Sequence, residues 1–123
     1  MGATNNVDGG VTMLSIDNQN NITLTRGDTL PLTVSLKQGS ETYTPQEGDV
    51  IRIACSVGYV GEPCYKLKFS ETIPNNTLSV TIPAETTGAL ANGIYHYDVE
   101  ITHSDGTIDT VISADLTITG EVK

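Results

Sequence analysis

The sequence predicts an all-β domain, a sandwich of about seven antiparallel strands. Three observations lead there. From residue 22 onward, apolar side chains recur at every second position, the period of a half-buried strand. Clusters of turn formers ("RGDT", "QGSETYTPQEGD", "PNN") interrupt the alternation at short intervals. No segment reads as a long helix. With 123 residues the chain is most simply one domain, able to bury about two-thirds of its unfolded surface.

Residues 1–20 are polar and rich in Gly and Asn ("GATNNVDGG", "DNQNN"). They read as a flexible N-terminal arm ahead of a domain spanning 21–123, with room for a short strand at Val11 to Ile16. Met13 is a candidate alternative start. The first firm strand is Ile22 to Thr25. "RGDT" turns it into a second, where Leu30, Leu32, Val34 and Leu36 point one way. After the turn-rich loop come strands at Val50 to Val57 and Cys64 to Ser70. "PNN" leads to a strand with Leu78, Val80 and Ile82 inward, closed by Pro83. "AETTGALANG" then makes a short crossover with one helical turn. The last two strands are Ile94 to His103 and Ile108 to Thr119.

A tyrosine just past that crossover is the mark of a tyrosine corner, and Tyr95 stands there. This favours an immunoglobulin-like sandwich, although a jelly roll or an open barrel satisfies the same alternation. Trp is absent and position 97 is Tyr rather than Cys, which excludes an antibody-type domain. Asp105-Gly106 predicts a two-residue type I′ hairpin turn. That register sets Thr107 against Ser104, Ile108 against His103, Thr110 against Ile101, Ile112 against Val99, Ala114 against Tyr97 and Leu116 against Tyr95. On the other face it pairs Thr102 with Asp109, Glu100 with Val111, Asp98 with Ser113 and His96 with Asp115. Both tyrosines become core, with small Ala114 making room for Tyr97.

Composition excludes several function classes. The formal net charge of −9 repels nucleic acid and anionic membranes. No apolar run reaches the roughly 20 residues of a membrane helix. No basic segment followed by an apolar one begins the chain, so no secretory signal is expected. Parity places Cys55 inward, opposite Tyr65, in line with Leu67 and Phe69. It leaves Cys64 outward beside Lys66 and Lys68, so the two are expected as free thiols rather than a disulfide. Two cysteines and two histidines without a CxxC argue against zinc.

No motif specifies a reaction, and no catalytic, cofactor or metal residue is assigned. His96 and Asp115 would suit a general base or half a metal site, but an exposed cross-strand ion pair is the simpler reading, and no nucleophile is placed beside them. His103 reads as a turn-flanking side chain. Arg26-Gly27-Asp28 spells an adhesion tripeptide, yet a Gly-centred turn accounts for it. The acidic face of Asp98, Glu100, Asp109 and Asp115 would hold calcium or, more simply, face Arg52, Lys66, Lys68 and water.

Three blocks, Ile22 to Thr29, Tyr43 to Ile53 and Leu90 to Thr110, carry a family resemblance. The last is the most specific, with Gly93, Tyr95, Tyr97 and Asp98, then Asp105-Gly106 and Asp109-Thr110. Over about residues 20 to 122 the chain resembles small immunoglobulin-like proteins of phages and prophages of Gram-positive bacteria, related to the N-terminal domain of baseplate upper proteins. The resemblance implies a non-enzymatic structural or assembly module without cofactor. Such a module would be made in the bacterial cytoplasm and associated with the virion at a tail, baseplate, neck or capsid. It would bind other phage structural proteins or further copies of itself. The alternative is a surface binding module, for example for cell-wall carbohydrate, for which Tyr43 and Tyr59 are the loop aromatics left free.

Overall fold

The computed structural model describes residues 2–6, 15–16, 19–39 and 41–121. Among these, the elements in order are β1 (Gly2–Asn6), β2 (Ser15–Ile16), β3 (Ile22–Thr25), β4 (Leu30–Gln38), β5 (Glu41–Thr42), β6 (Val50–Val57), β7 (Lys66–Ile73), β8 (Ser79–Ile82), α1 (Ala84–Gly88), β9 (Gly93–Thr102) and β10 (Ile108–Thr119). The seven predicted strands correspond to β3, β4, β6, β7, β8, β9 and β10.

One sheet is built on β4. Thr33 pairs with both Asn6 and Ser79, and Lys37 with both Gly2 and Thr42, so β1 takes one edge of β4 while β8 and β5 share the other. The second sheet runs β2-β3-β10-β9-β6-β7. The N-terminal segment therefore serves both layers, with β1 antiparallel to β4 and β3 parallel to β10. The chain is an all-β, immunoglobulin-like sandwich. The stretch read as an arm thus contributes two strands, and removing it would bare an edge of β4. Of the predicted strand at 11–16, Ser15–Ile16 is β2; the remainder and Met13 lie outside the described residues.

The core is what the period-two pattern requires. Leu30, Leu32, Val34 and Leu36 of β4 face Ile51, Ile53 and Cys55 of β6, Tyr95, Tyr97, Val99 and Ile101 of β9, and Leu116 and Ile118 of β10, all buried. Each aliphatic removed from water stabilises the fold by about 1.5–3 kcal/mol. Tyr95 forms the expected corner, its hydroxyl donating to the Ala91 carbonyl at 2.7 Å. Tyr97 lies opposite Ala114, as expected, and donates its hydroxyl to the Asn20 carbonyl, fixing the entry to β3. The crossover helix α1 is tied down by Thr87, whose buried hydroxyl donates to the Asp28 carbonyl at 2.6 Å. Leu78 does not begin the strand before Pro83. It sits at φ +54°, closing a turn through its N–H to the Pro74 carbonyl.

The β9–β10 turn is not the predicted two-residue one. His103 N–H donates to the Thr107 carbonyl and Gly106 N–H to that of His103, which leaves Ser104, Asp105 and Gly106 as the loop. Gly106 is at φ +90° and Asp105 is not in the positive region, the pattern of a type I turn with a trailing left-handed glycine. Near the turn the register slips by one: Ile108 faces Thr102, Asp109 faces Ile101 and Thr110 faces Glu100. The expected pairs of Thr107 with Ser104, Ile108 with His103, Thr110 with Ile101, Thr102 with Asp109 and Glu100 with Val111 therefore do not form. A bulge between Thr110 and Ile112 restores the register, so Ile112–Val99, Ser113–Asp98, Ala114–Tyr97, Asp115–His96 and Leu116–Tyr95 stand as expected. The extra residue in the loop is matched by an extra residue in β10, which lets Val111 and Ile112 both point inward.

A second bulge corrects β7. Cys55 pairs with Phe69 rather than Tyr65, and the register then skips so that Ser56 faces Leu67 and Val57 faces Lys66. Phe69 stays buried, but Leu67 and Tyr65 are turned to the outer face. The cysteines are free, with Cys55 buried and Cys64 exposed. No helix among the described residues is long and apolar enough to cross a membrane.

Two measurements check this core. Tyr97→Ala should lower stability by about 3–5 kcal/mol in denaturant unfolding, the cost of truncating a buried aromatic; a loss under about 1 kcal/mol would contradict the register. Burial pushes the Cys55 thiol up to about 12, so a thiol reagent should label Cys64 alone in the native protein and both cysteines after unfolding.

Candidate functional site

The bulge in β7 opens a groove on the outer face of β6, β7 and β9. The turn 58–65 rises over it, with Gly58 at φ +66° and Ser56 Oγ donating to the Gly58 carbonyl at 2.8 Å. A Cβ at Gly58 would stand 2.7 Å from Cys64 Sγ, which could turn aside, so it is the positive φ that calls for glycine here. Tyr59 N–H donates to Glu62 Oε1 at 2.6 Å, and Glu62 N–H returns to the Tyr59 carbonyl at 2.9 Å. The Tyr59 ring stacks on His96, with centroids 4.2 Å apart and planes 17° from parallel. The space enclosed is about 330 Å³, lined by Tyr59, Val60, Tyr65 and Leu67 on the apolar side and by Arg52, Ser70, Asp98 and Glu100 on the polar side.

His96 and Asp115 do meet, Nδ1 to Oδ1 at 3.0 Å, and Tyr59 Oη lies 3.2 Å from the same Nδ1. Contrary to the sequence reading, a hydroxyl stands beside this pair. Ser56 is directly across from His96 on β6, so Ser56, His96 and Asp115 form one row over three strands. The row is not wired for nucleophilic attack. The Ser56 hydroxyl donates to the Gly58 carbonyl, not to the imidazole, and the face is open to water. The pair is about one-third to one-half exposed, which makes it a weak ion pair.

The other sequence candidates fall out differently. Arg26 folds back, donating from Nε to the Leu90 carbonyl at 2.9 Å and pairing with Glu121 at 3.4 Å, while Gly27 makes its turn at φ +86°. The tripeptide is thereby a structural corner. Arg52 faces Glu100 in register but donates to Ser70 Oγ instead, at 2.5 Å. Glu100 faces Arg52 across the strands, as expected, but the side chains of Asp98 and Glu100 make no ion pair or hydrogen bond among the described residues. Burial, then the neighbouring Glu100, pushes the Asp98 carboxyl above its usual range. No group of three or more His, Cys, Asp or Glu suited to a metal occurs among the described residues.

A second cluster, at the far end of β9, was missed in the sequence. Asp49, buried, receives Tyr43 Oη at 2.7 Å and Gln46 N–H at 2.8 Å on Oδ2, and stands 3.1 Å from His103 Nδ1 through Oδ1. His103 Nε2 lies 3.0 Å from Asp109 Oδ2. Asn75 caps the cluster, donating to the Asp49 carbonyl at 2.6 Å. His103 is thus a clasp between two carboxylates, and Tyr43 is engaged rather than free. Burial pulls the Asp49 carboxyl up, but the hydrogen bonds from Gln46, Tyr43 and His103 outweigh it and leave it below the usual range. The bond to Asp49 raises the Tyr43 phenol to about 12. The bonds to Asp109 and Asp49 raise the His103 imidazole. The slipped register explains why the sequence hid this: Asp109 reaches His103 only because of the three-residue loop.

No protein-family model matches the chain, and no curated protein matches it. Among solved structures the chain is similar to the fibronectin(III)-like modules of Clostridium thermocellum CbhA. The identity is 16%, the TM-score is 0.44, and the alignment covers 97% of this chain and 47% of that one. The chain therefore spans about half the length of that structure's chain.

The clasp makes stability depend on pH. A raised His103 favours folding fully below its unfolded value near 6.5, and that contribution is lost as pH rises through the folded value. A lowered Asp49 favours folding above about 3.9, and its contribution is lost as pH falls through the folded value. Both are intact between about pH 4 and 6.5. The denaturant midpoint should fall on going from pH 6 to pH 9, and His103→Asn should flatten that slope. An unchanged slope in the variant would exclude the clasp as its source.

Proposed function

We propose that this chain is a non-enzymatic interaction module of a phage or prophage, an adaptor in a tail, baseplate, neck or capsid-associated assembly. The observation that carries the non-enzymatic reading is the disconnected row of Ser56, His96 and Asp115. The three residue types of a hydrolase stand in line, yet the hydroxyl is committed to Gly58 and the groove beside it is open to water. The resemblance of the three blocks from Ile22 to Thr110 supports the phage setting. The net charge of −9 supports protein rather than nucleic acid as partner, whether another structural protein or a further copy of this chain.

Particles purified after prophage induction should contain this chain by mass spectrometry, in virions or in assembly intermediates. Its absence from both would remove the phage reading. The isolated protein should not hydrolyse p-nitrophenyl acetate faster than buffer, and His96→Ala should alter stability by less than about 1 kcal/mol. An esterase rate abolished by Ser56→Ala would overturn the non-enzymatic reading.

A further inference from the structure

We propose that the groove over β6, β7 and β9 is a binding site for a neutral, polyhydroxylated ring, a carbohydrate. The inference goes beyond the assembly role and stands independently of it.

The Tyr59 platform is built in advance. Its ring is held by the His96 stack, its hydroxyl by His96 Nδ1 and its backbone by Glu62, yet the residue remains 55% exposed. An exposed aromatic fixed in place has already lost the freedom that binding would cost. Tyr65 and Leu67 join it because the β7 bulge re-aims them outward, leaving them 38% and 48% exposed on the same face. A bulge beside a site often serves to re-aim a side chain.

The polar wall selects the ligand. The half-buried side chains of Asp98 and Glu100 offer acceptor oxygens that no side chain or backbone donor among the described residues engages. Arg52, in register with Glu100, offers guanidinium donors beyond the bond it makes to Ser70. A cation would satisfy the carboxylates but leave the Arg52 donors unused, and an anion would pair with Arg52 but be repelled by the two carboxylates. A hydroxyl both donates and accepts, so adjacent hydroxyls on one ring satisfy acceptors and donors together. Such a ring also has an apolar C–H face for Tyr59, and the space of about 330 Å³ is at the lower end of small-ligand sites.

The test is an amide-resolved NMR titration of the full chain with glucose, galactose, rhamnose and N-acetylglucosamine, each taken to about 50 mM because an open groove implies weak, millimolar affinity. Lysine amide and acetate serve as cationic and anionic probes. At least one sugar should give saturable shifts in residues 52–70 and 96–100. Tyr59→Ala and Asp98→Asn should each weaken it by about tenfold with the melting temperature unchanged. If Tyr59→Ala melts early, Asp98→Asn and Tyr65→Ala decide. The proposal fails if no sugar shifts these amides, if the shifts lie elsewhere, if the variants bind as well as the parent, or if lysine amide or acetate binds the groove and the sugars do not. Sugar binding by a chain absent from particles would leave this site standing and remove only the phage reading.

Discussion

Side-chain parity governs this molecule. Along a strand, successive side chains alternate between the dry space between the sheets and the open face, so one added residue exchanges the two sets. β9 keeps strict parity from Tyr95 to Ile101, flanked by β6 and β10, and it acts as the reference against which its neighbours are read. Where a neighbour departs from parity, something appears on the surface. In β10 the departure lets Val111 and Ile112 both enter the core and brings Asp109 under His103. In β7 it exports Tyr65 and Leu67 and so creates the groove.

Much of the fold could be read from the sequence because burial leaves a period. The limits of β3, β6 and β10, the corner at Tyr95 and the pairing of Tyr97 with Ala114 follow from alternation and one turn signal. What escaped were the insertions of single residues. Asp-Gly fits a two-residue turn and a three-residue loop equally, since Gly106 alone needs the left-handed region. A bulge in β7 has no residue signature in "CYKLKFSET", where continuous alternation is the simpler reading. The candidate site suffered most for this reason, because both of its clusters sit where a bulge has shifted the register. Asp49 was hidden for another reason: it sits in a polar loop, and only the fold encloses it.

The distribution of charge constrains how the sandwich can associate. β7 ends its sheet and would offer an unpaired edge to any other strand. It carries exposed Lys66 and Lys68 there, the device by which edge strands discourage pairing with copies of themselves. The β4 sheet is managed differently, with its edges occupied by β1 on one side and β8 and β5 on the other. Edge-to-edge addition between identical chains is therefore disfavoured at β7. Under the proposed adaptor role, that shifts the expected contacts toward faces and loops.

On the faces, the chemistry separates binding from catalysis. A hydrolase needs its hydroxyl aimed at the imidazole and an enclosure that excludes water. Here the same Tyr59 turn that shapes the groove takes the hydroxyl away, and the groove stays open to water. Ser56 is drawn into capping the Gly58 carbonyl, and His96 is spent supporting the Tyr59 ring and holding Asp115. Freeing Ser56 would mean giving up its bond to Gly58, the residue on which the turn depends, so a nucleophile and the aromatic platform compete for the same backbone. In this structure the Ser56 hydroxyl is given to the turn, and the fixed ring stands beside carboxylates that no donor among the described residues engages, which is the arrangement on which the proposed ligand site rests.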